Sequence, residues 1–119
     1  RYPVDAILIP VSAADSHLND FALEVIPYAH KKGVSVAGMK SLKGWQNAGK
    51  KALTPHELLH YALSLPIATL TCGMTNIEQV EENVRAARAF EPLNNSEMDR
   101  IRAVCKEWGT SRHLWWKRT

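Results

Sequence analysis

The sequence predicts an α/β fold in which parallel strands alternate with helices, and three observations carry that expectation. Short apolar runs recur at residues 6–9, 34–39 and 67–71, and a segment with apolar residues at helical spacing follows each of them. No hairpin signal joins one run to the next, so neighbouring strands must run parallel and be linked by crossover helices.

Ala6-Ile7-Leu8-Ile9 is a continuous apolar run ended by Pro10, the pattern of a strand covered on both faces. Over residues 16–32 the positions Leu18, Phe21, Ala22, Val25, Ile26 and Ala29 repeat with helical period. Asp15 or Ser16 is placed to cap that helix, and Lys31-Lys32-Gly33 to close it. Pro27 predicts a kink or restart inside it. The second strand, residues 34–39, contains Ala37 and Gly38, small residues that suit a crowded barrel interior.

A long loop, residues 40–53, follows with Gly44, Gly49 and four lysines. Thr54-Pro55-His56-Glu57 is a capping box with proline at the first helical position, opening a helix that Pro66 stops. The third strand spans residues 67–71. Thr75-Asn76-Ile77-Glu78 then caps an amphipathic helix through Val80, Val84, Ala87 and Phe90. A last helix, residues 96–108, is capped by Asn94 or Asn95 and carries Met98, Ile101, Val104 and Cys105 as its apolar stripe.

Composition excludes several classes. With 119 residues, 45% hydrophobic and 23% charged, the chain has the material for one core and is neither disordered nor low in complexity. No run approaches the roughly 18 apolar residues of a membrane span, and Arg1-Tyr2-Pro3-Val4-Asp5 does not begin a signal peptide. A net charge of +3, spread along the chain, favours an anionic ligand over a nucleic-acid footprint. Cys72 and Cys105 lack the spacing of a disulfide framework or a thiolate metal site, so they read as two buried free thiols of a cytoplasmic protein.

Three strand–helix units and an extra helix amount to part of a TIM-type (β/α)8 barrel, which needs roughly 30 residues per unit and about 250 in all. Residues 1–109 would hold the units and the C-terminal helix, within a single segment, 1–119, whose last part, 110–119, is a tail. Three parallel strands leave two open edges, so a missing barrel half or self-association must cover them.

The order of signals has a further match. Asp5 and Pro10 flank the first strand, then come Val25-Ile26-Pro27, Gly33-Val34, Gly38-Met39-Lys40 and Tyr61-Ala62-Leu63-Ser64-Leu65-Pro66. Gly73 and Glu82-Asn83 with Arg85-Ala86-Ala87 complete the series. In this order the chain resembles the last three βα units and C-terminal helix of bacterial aldo/keto reductase-like oxidoreductases, over nearly its whole length.

The resemblance implies hydride transfer between a nicotinamide cofactor, NADP(H) or NAD(H), and a carbonyl or alcohol. The nucleotide would lie at the C-terminal ends of the strands, on Lys40-Ser41-Leu42 and on Gly73-Met74-Thr75-Asn76, the latter feeding a helix N-terminus that favours anions. Gln79 and Asn83 would face its adenine end. Many relatives carry arginine at the position of Gln79, so the choice between NADPH and NADH is open. Relatives often have Gln at Leu8 and Asn at Ser12, and an aliphatic side chain at Leu8 cannot bind the nicotinamide amide. The family's catalytic tyrosine, lysine, aspartate and histidine belong to earlier strands, so no catalytic residue is assigned within these 119 residues. The alternative is a non-catalytic nucleotide- or anion-binding fragment that self-associates.

Other motifs compete. His56-Glu57-Leu58-Leu59-His60 matches the H-E-x-x-H pattern of zinc metallohydrolases, but Glu57 already serves the capping box and no third ligand is evident. No metal ligand is therefore assigned. Trp45, and Trp115-Trp116 among Arg112, Lys117 and Arg118, could stack single-stranded bases, but loop and tail aromatics more often pack back on a barrel and the helices show no basic face, so no nucleic-acid partner is assigned. Glu78, Glu81 and Glu82 read as a solvated flank near a positive helix end, and Met39 and Met74 as packing residues at strand ends.

Overall fold

The computed structural model describes residues 3–43 and 53–117. Most of the lysine-rich loop, with Gly44, Trp45 and Gly49, therefore lies outside the described residues, as do Arg1, Tyr2 and Arg118.

Three strands, β1 (Ala6–Pro10), β2 (Ser35–Met39) and β3 (Thr69–Leu70), form a parallel sheet in that order. Ala6 faces Ser35 and Pro10 faces Met39, while Ala37 and Gly38 face Thr69 and Leu70. The third strand is shorter than the apolar run suggested. Backbone bonds from Ala68 N to Val36 O and from Thr71 N to Gly38 O, each 2.8 Å, continue the pairing on either side of it.

The single helix expected at residues 16–32 is two elements. Ala13–His17 is a 3₁₀ turn held by a capping box, in which Ser12 N donates to Asp15 Oδ2 at 3.0 Å. Asn19 then takes a left-handed φ of 48°, which a short polar side chain tolerates, and Asp20 caps α1 (Phe21–Lys31) by accepting from Ala22 N at 2.9 Å. Pro27 is carried inside α1, and Gly33, φ 70°, closes the helix as expected.

The remaining helices follow their caps. Thr54 caps α2 (Pro55–Leu63), Asn76 caps α3 (Ile77–Arg88) and Asn94 caps α4 (Asn95–Val104), with a 3₁₀ turn at Lys106–Trp108 beyond it. Met98, Ile101 and Cys105 of the last stripe join Ile9, Val36, Ile26, Leu58 and Tyr61 in one core.

Two expectations about burial fail for a common reason. Leu8 in β1 is 52% exposed rather than covered on both faces, and Val80 and Val84 of the α3 stripe are each 42% exposed, with Ile77 of the capping segment 73% exposed before them. Helix periodicity reports that a face is apolar without reporting what covers it. Here those faces flank the open edges of β1 and β3, where no described element packs. Cys105 is buried as expected, but Cys72 is only half-buried; both are free.

Gly38 shows how tightly β2 is seated. A Cβ there would lie 2.6 Å from Val11 Cγ2 and 2.9 Å from Ile67 Cδ1. Gly38→Ala is expected to lower the unfolding free energy by about 1–3 kcal/mol through overpacking, read as a reduced urea midpoint.

Candidate functional site

Because the strands are parallel, the segments leaving them emerge at one end of the sheet: residues 11–20 after β1, 40–43 after β2 and 71–76 after β3. Between the last two lies a cavity of about 210 Å³ lined by Leu42, Pro55, Gly73, Thr75, Gln79, Glu82 and Asn83. Leu42, Gly73, Thr75, Gln79 and Asn83 were singled out by sequence. Pro55 was read only as a helix start, and Glu82 as part of the Glu82-Asn83 pair and as a solvated flank; neither was assigned to the site.

The start of α3 is internally tied. Thr75 donates to Gln79 Oε1 from its backbone N at 2.8 Å and from its hydroxyl at 3.2 Å, and Gln79 N donates to Asn76 Oδ1 at 2.9 Å. Asn76 is thus spent on capping, and Gln79 is held in one orientation. One turn further on, Asn83 Nδ2 donates to Cys72 Sγ at 3.4 Å. Ser41 is buried, its hydroxyl without a partner of good geometry among the described residues yet close enough to favour the Cys72 thiolate. Burial dominates, and the Cys72 thiol is pushed above its ordinary range despite Ser41 and Asn83.

The other two residues singled out point elsewhere. Met74 is exposed and lines a neighbouring apolar groove of about 250 Å³ with Leu70, Val80 and Val84. Lys40 holds a left-handed φ of 60°, a conformation costing a residue with a side chain about 1–3 kcal/mol. Its ammonium lies 4.6 Å from the Trp116 ring and 5.4 Å from that of Trp115. Gly73 differs from Gly38: a Cβ there would meet nothing within 4 Å among the described residues, whose packing does not require glycine at this position.

The H-E-x-x-H helix is engaged in structural bonds. Glu57 accepts from Thr54 N at 2.8 Å and pairs with Arg100, while His60 Nε2 bonds Ala86 O at 2.9 Å and its ring lies 4.7 Å from that of His56. Among the described residues no group of three or more His, Cys, Asp or Glu is placed to hold a metal. No described helix is long and apolar enough to cross a membrane.

Burial raises the Glu57 carboxyl, but hydrogen bonds from Thr54 and Arg100 outweigh it and leave the group below its ordinary 4.5. The associated stability is therefore present above that value and is lost as pH falls through the lower folded one. Glu57→Gln is expected to remove this acid-side dependence, measured by urea unfolding from pH 6 downward.

No protein-family model matches the sequence, and no curated protein does. Among solved structures, the chain is similar to the aldo-keto reductase AKR11C1 from Bacillus halodurans in its holo and apo forms. The TM-score is 0.65 and the identity 24% in both cases, covering 95% of this chain but only 46% and 47% of the two matched chains. The chain has the fold of about half an aldo-keto reductase barrel. In this aldo-keto reductase-like half the sheet is not closed, so β1 and β3 are both edge strands among the described residues.

The two thiols of the half-barrel should differ in reactivity. Burial pushes Cys105 up to about 11, whereas Cys72 is half-buried. A thiol reagent at pH 7 is expected to label Cys72 slowly and Cys105 hardly at all until urea is added, as read by mass spectrometry.

Proposed function

We propose that this chain is the cofactor-binding C-terminal part of an aldo/keto reductase-like oxidoreductase. It grips the adenine end of NADP(H) or NAD(H) while hydride passes between the nicotinamide and a carbonyl or alcohol. The catalytic groups and remaining strands would come from the other barrel half, docked on the open edges of β1 and β3. Two free cysteines fit a reducing, cytoplasmic setting.

The observation that carries this reading is the convergence of Leu42, Gly73, Thr75, Gln79 and Asn83 on one cavity at the strand ends. Its volume, about 210 Å³, falls below the roughly 300–1,000 Å³ of a complete ligand pocket and suits one ring of a dinucleotide. Among the described residues the space around a Cβ at Gly73 is open, which supports close approach by a ligand there. Among the described residues no lysine or arginine lines the cavity and Glu82 does, which favours NADH over a cofactor bearing a 2′-phosphate.

The test is titration of the folded chain with NADH and NADPH by tryptophan fluorescence. Saturable binding, weakened about tenfold or more by Gly73→Val with the urea midpoint held, is the expected result. No binding of either nucleotide by a well-folded sample would overturn the reading.

A second reading has its own support in the free edges of β1 and β3 and the exposed Leu8, Val80 and Val84: a non-catalytic nucleotide- or anion-binding fragment that self-associates. Sedimentation separates the two. A concentration-dependent dimer favours self-association, and a monomer that closes only on addition of a complementary barrel half favours the first reading.

A further inference from the structure

The tail beyond α4 is a docked strap, and what holds its tip has the composition of a ligand site. Lys117 has a side chain with 0% exposure, and Asp15 beside it has 3%. The Lys117 ammonium donates to the carbonyl oxygens of Leu18 and Asn19 at 2.7 Å each and of Asp15 at 3.1 Å. Asp15 Oδ1 lies 3.2 Å away, and the face of Phe21 covers the remaining side at 4.3 Å.

This arrangement matches a primary ammonium group by group. Three carbonyl acceptors meet three N–H donors, one carboxylate balances one positive charge, and an aromatic face takes the side that has no acceptor. The carboxylate is itself fixed, with Oδ2 accepting from the Ser12 backbone and hydroxyl, and Oδ1 from the Trp116 indole at 3.2 Å. The left-handed turn at Asn19 belongs to this loop and helps turn its carbonyl inward. Ser12 to Phe21 therefore constitute a preformed receptor, whose capping box and α1 cap lie within residues far from the tail.

The base of the strap is anchored separately. A Cβ on Gly109 would lie 2.3 Å from His17 Cβ and 2.9 Å from Ala14 O, so only glycine lets the chain turn back at this point. Leu114 between the two anchors is fully buried. With both ends fixed, Trp116 and Trp115 lie over Lys40, and Trp116 lies 5.6 Å from the Lys43 ammonium.

We propose that residues 12–21 form a receptor for a primary ammonium, that Lys117 is its tethered ligand, and that occupancy of this receptor holds the tryptophan pair over Lys40. An empty receptor frees the strap and takes the two rings away from the exposed Lys40 ammonium at the strand ends. Nothing in this depends on nucleotide binding.

The test is chemical rescue in the full chain. Lys117→Ala removes the atoms of propylammonium, and trypsin cleavage after Arg112 reports whether the strap is docked. Breaking a buried pair by removing one partner is expected to raise cleavage about a hundredfold, because proteolysis follows the open population. Added propylammonium should restore protection, whereas tetramethylammonium, which has no N–H to donate, and potassium should not. Protection unchanged in Lys117→Ala, no rescue by propylammonium, or equal rescue by tetramethylammonium or potassium would each overturn the proposal. Should the variant fail to fold, the wild-type chain decides through brief acetylation read by mass spectrometry. Lys117 should react about tenfold or more slowly than exposed Lys106 if its opening is rare, and equal rates would overturn the assignment.

Discussion

The parallel pairing of β1 with β2 is the constraint on which the rest of the structure depends. Five residue pairs in register commit the chain to a crossover, and the crossover must be long enough to hold a helix. Its geometric consequence is that every segment following a strand emerges at the same end. Asp15, Lys40, Ser41, Cys72 and Thr75 are distant in sequence, yet all lie just beyond a strand and are gathered there without any contact needing to recruit them individually. The close seat of Gly38 against Val11 and Ile67 keeps that gathering tight, since the β1–β2–β3 spacing sets how near the loop ends come to each other.

What sequence revealed, and what it hid, follows from the range of the interactions involved. Helix starts were legible because caps are local: Thr54 with Glu57, Asn94 with Glu97 and Asn76 with Gln79 each complete a bond within three residues. The strands were legible as apolar runs, although β3 was overestimated because its outer residues pair only through single backbone bonds. The break at Asn19 was missed, since the apolar spacing on either side stays in phase with a helix. Much of the candidate site was legible through resemblance, while Pro55 was not and Glu82 was seen only as the neighbour of Asn83 and a solvated flank, because a shared cavity wall is set by packing between elements rather than by local sequence. Least legible was the strap. Lys117 bonds residues 98 to 102 positions away, and in sequence it looked like one more basic residue in a tail.

The exposed faces carry a different kind of information. Leu8 on β1 and the Val80–Val84 stripe on α3 lie at opposite edges of a three-stranded sheet, and both stay partly exposed, the stripe beside a groove it shares with Leu59, Leu63 and Leu70. An apolar groove of about 430 Å³ runs along the β1 side, lined by Val4, Ile7 and Val34, and another of about 250 Å³ runs along the β3 side. A closed barrel joins its first and last strands, so any half of one must show two such edges, each with an uncovered helix or strand face beside it. The likeness in fold, which spans less than half of each matched chain, has the same geometry.

Charge at the strand ends links the strap to the segment leaving β2. Lys40 is held in a strained backbone conformation, and its exposed ammonium faces two aromatic rings rather than pairing with a described carboxylate. A cation–π contact at a partly exposed site contributes only about 0.5–1 kcal/mol, less than a charge-assisted hydrogen bond to an anion. Lys40 is therefore in a contact that an arriving anion could replace, whereas Lys117 sits in one that requires three carbonyls and a carboxylate to be given up together. The strong contact is at Lys117 and the weak one at the neighbouring rings. Because Trp116 also donates to Asp15 Oδ1, an anion that displaced this ring from Lys40 would cost the anchor one hydrogen bond, so exchange at Lys40 and opening of the strap are coupled through Trp116.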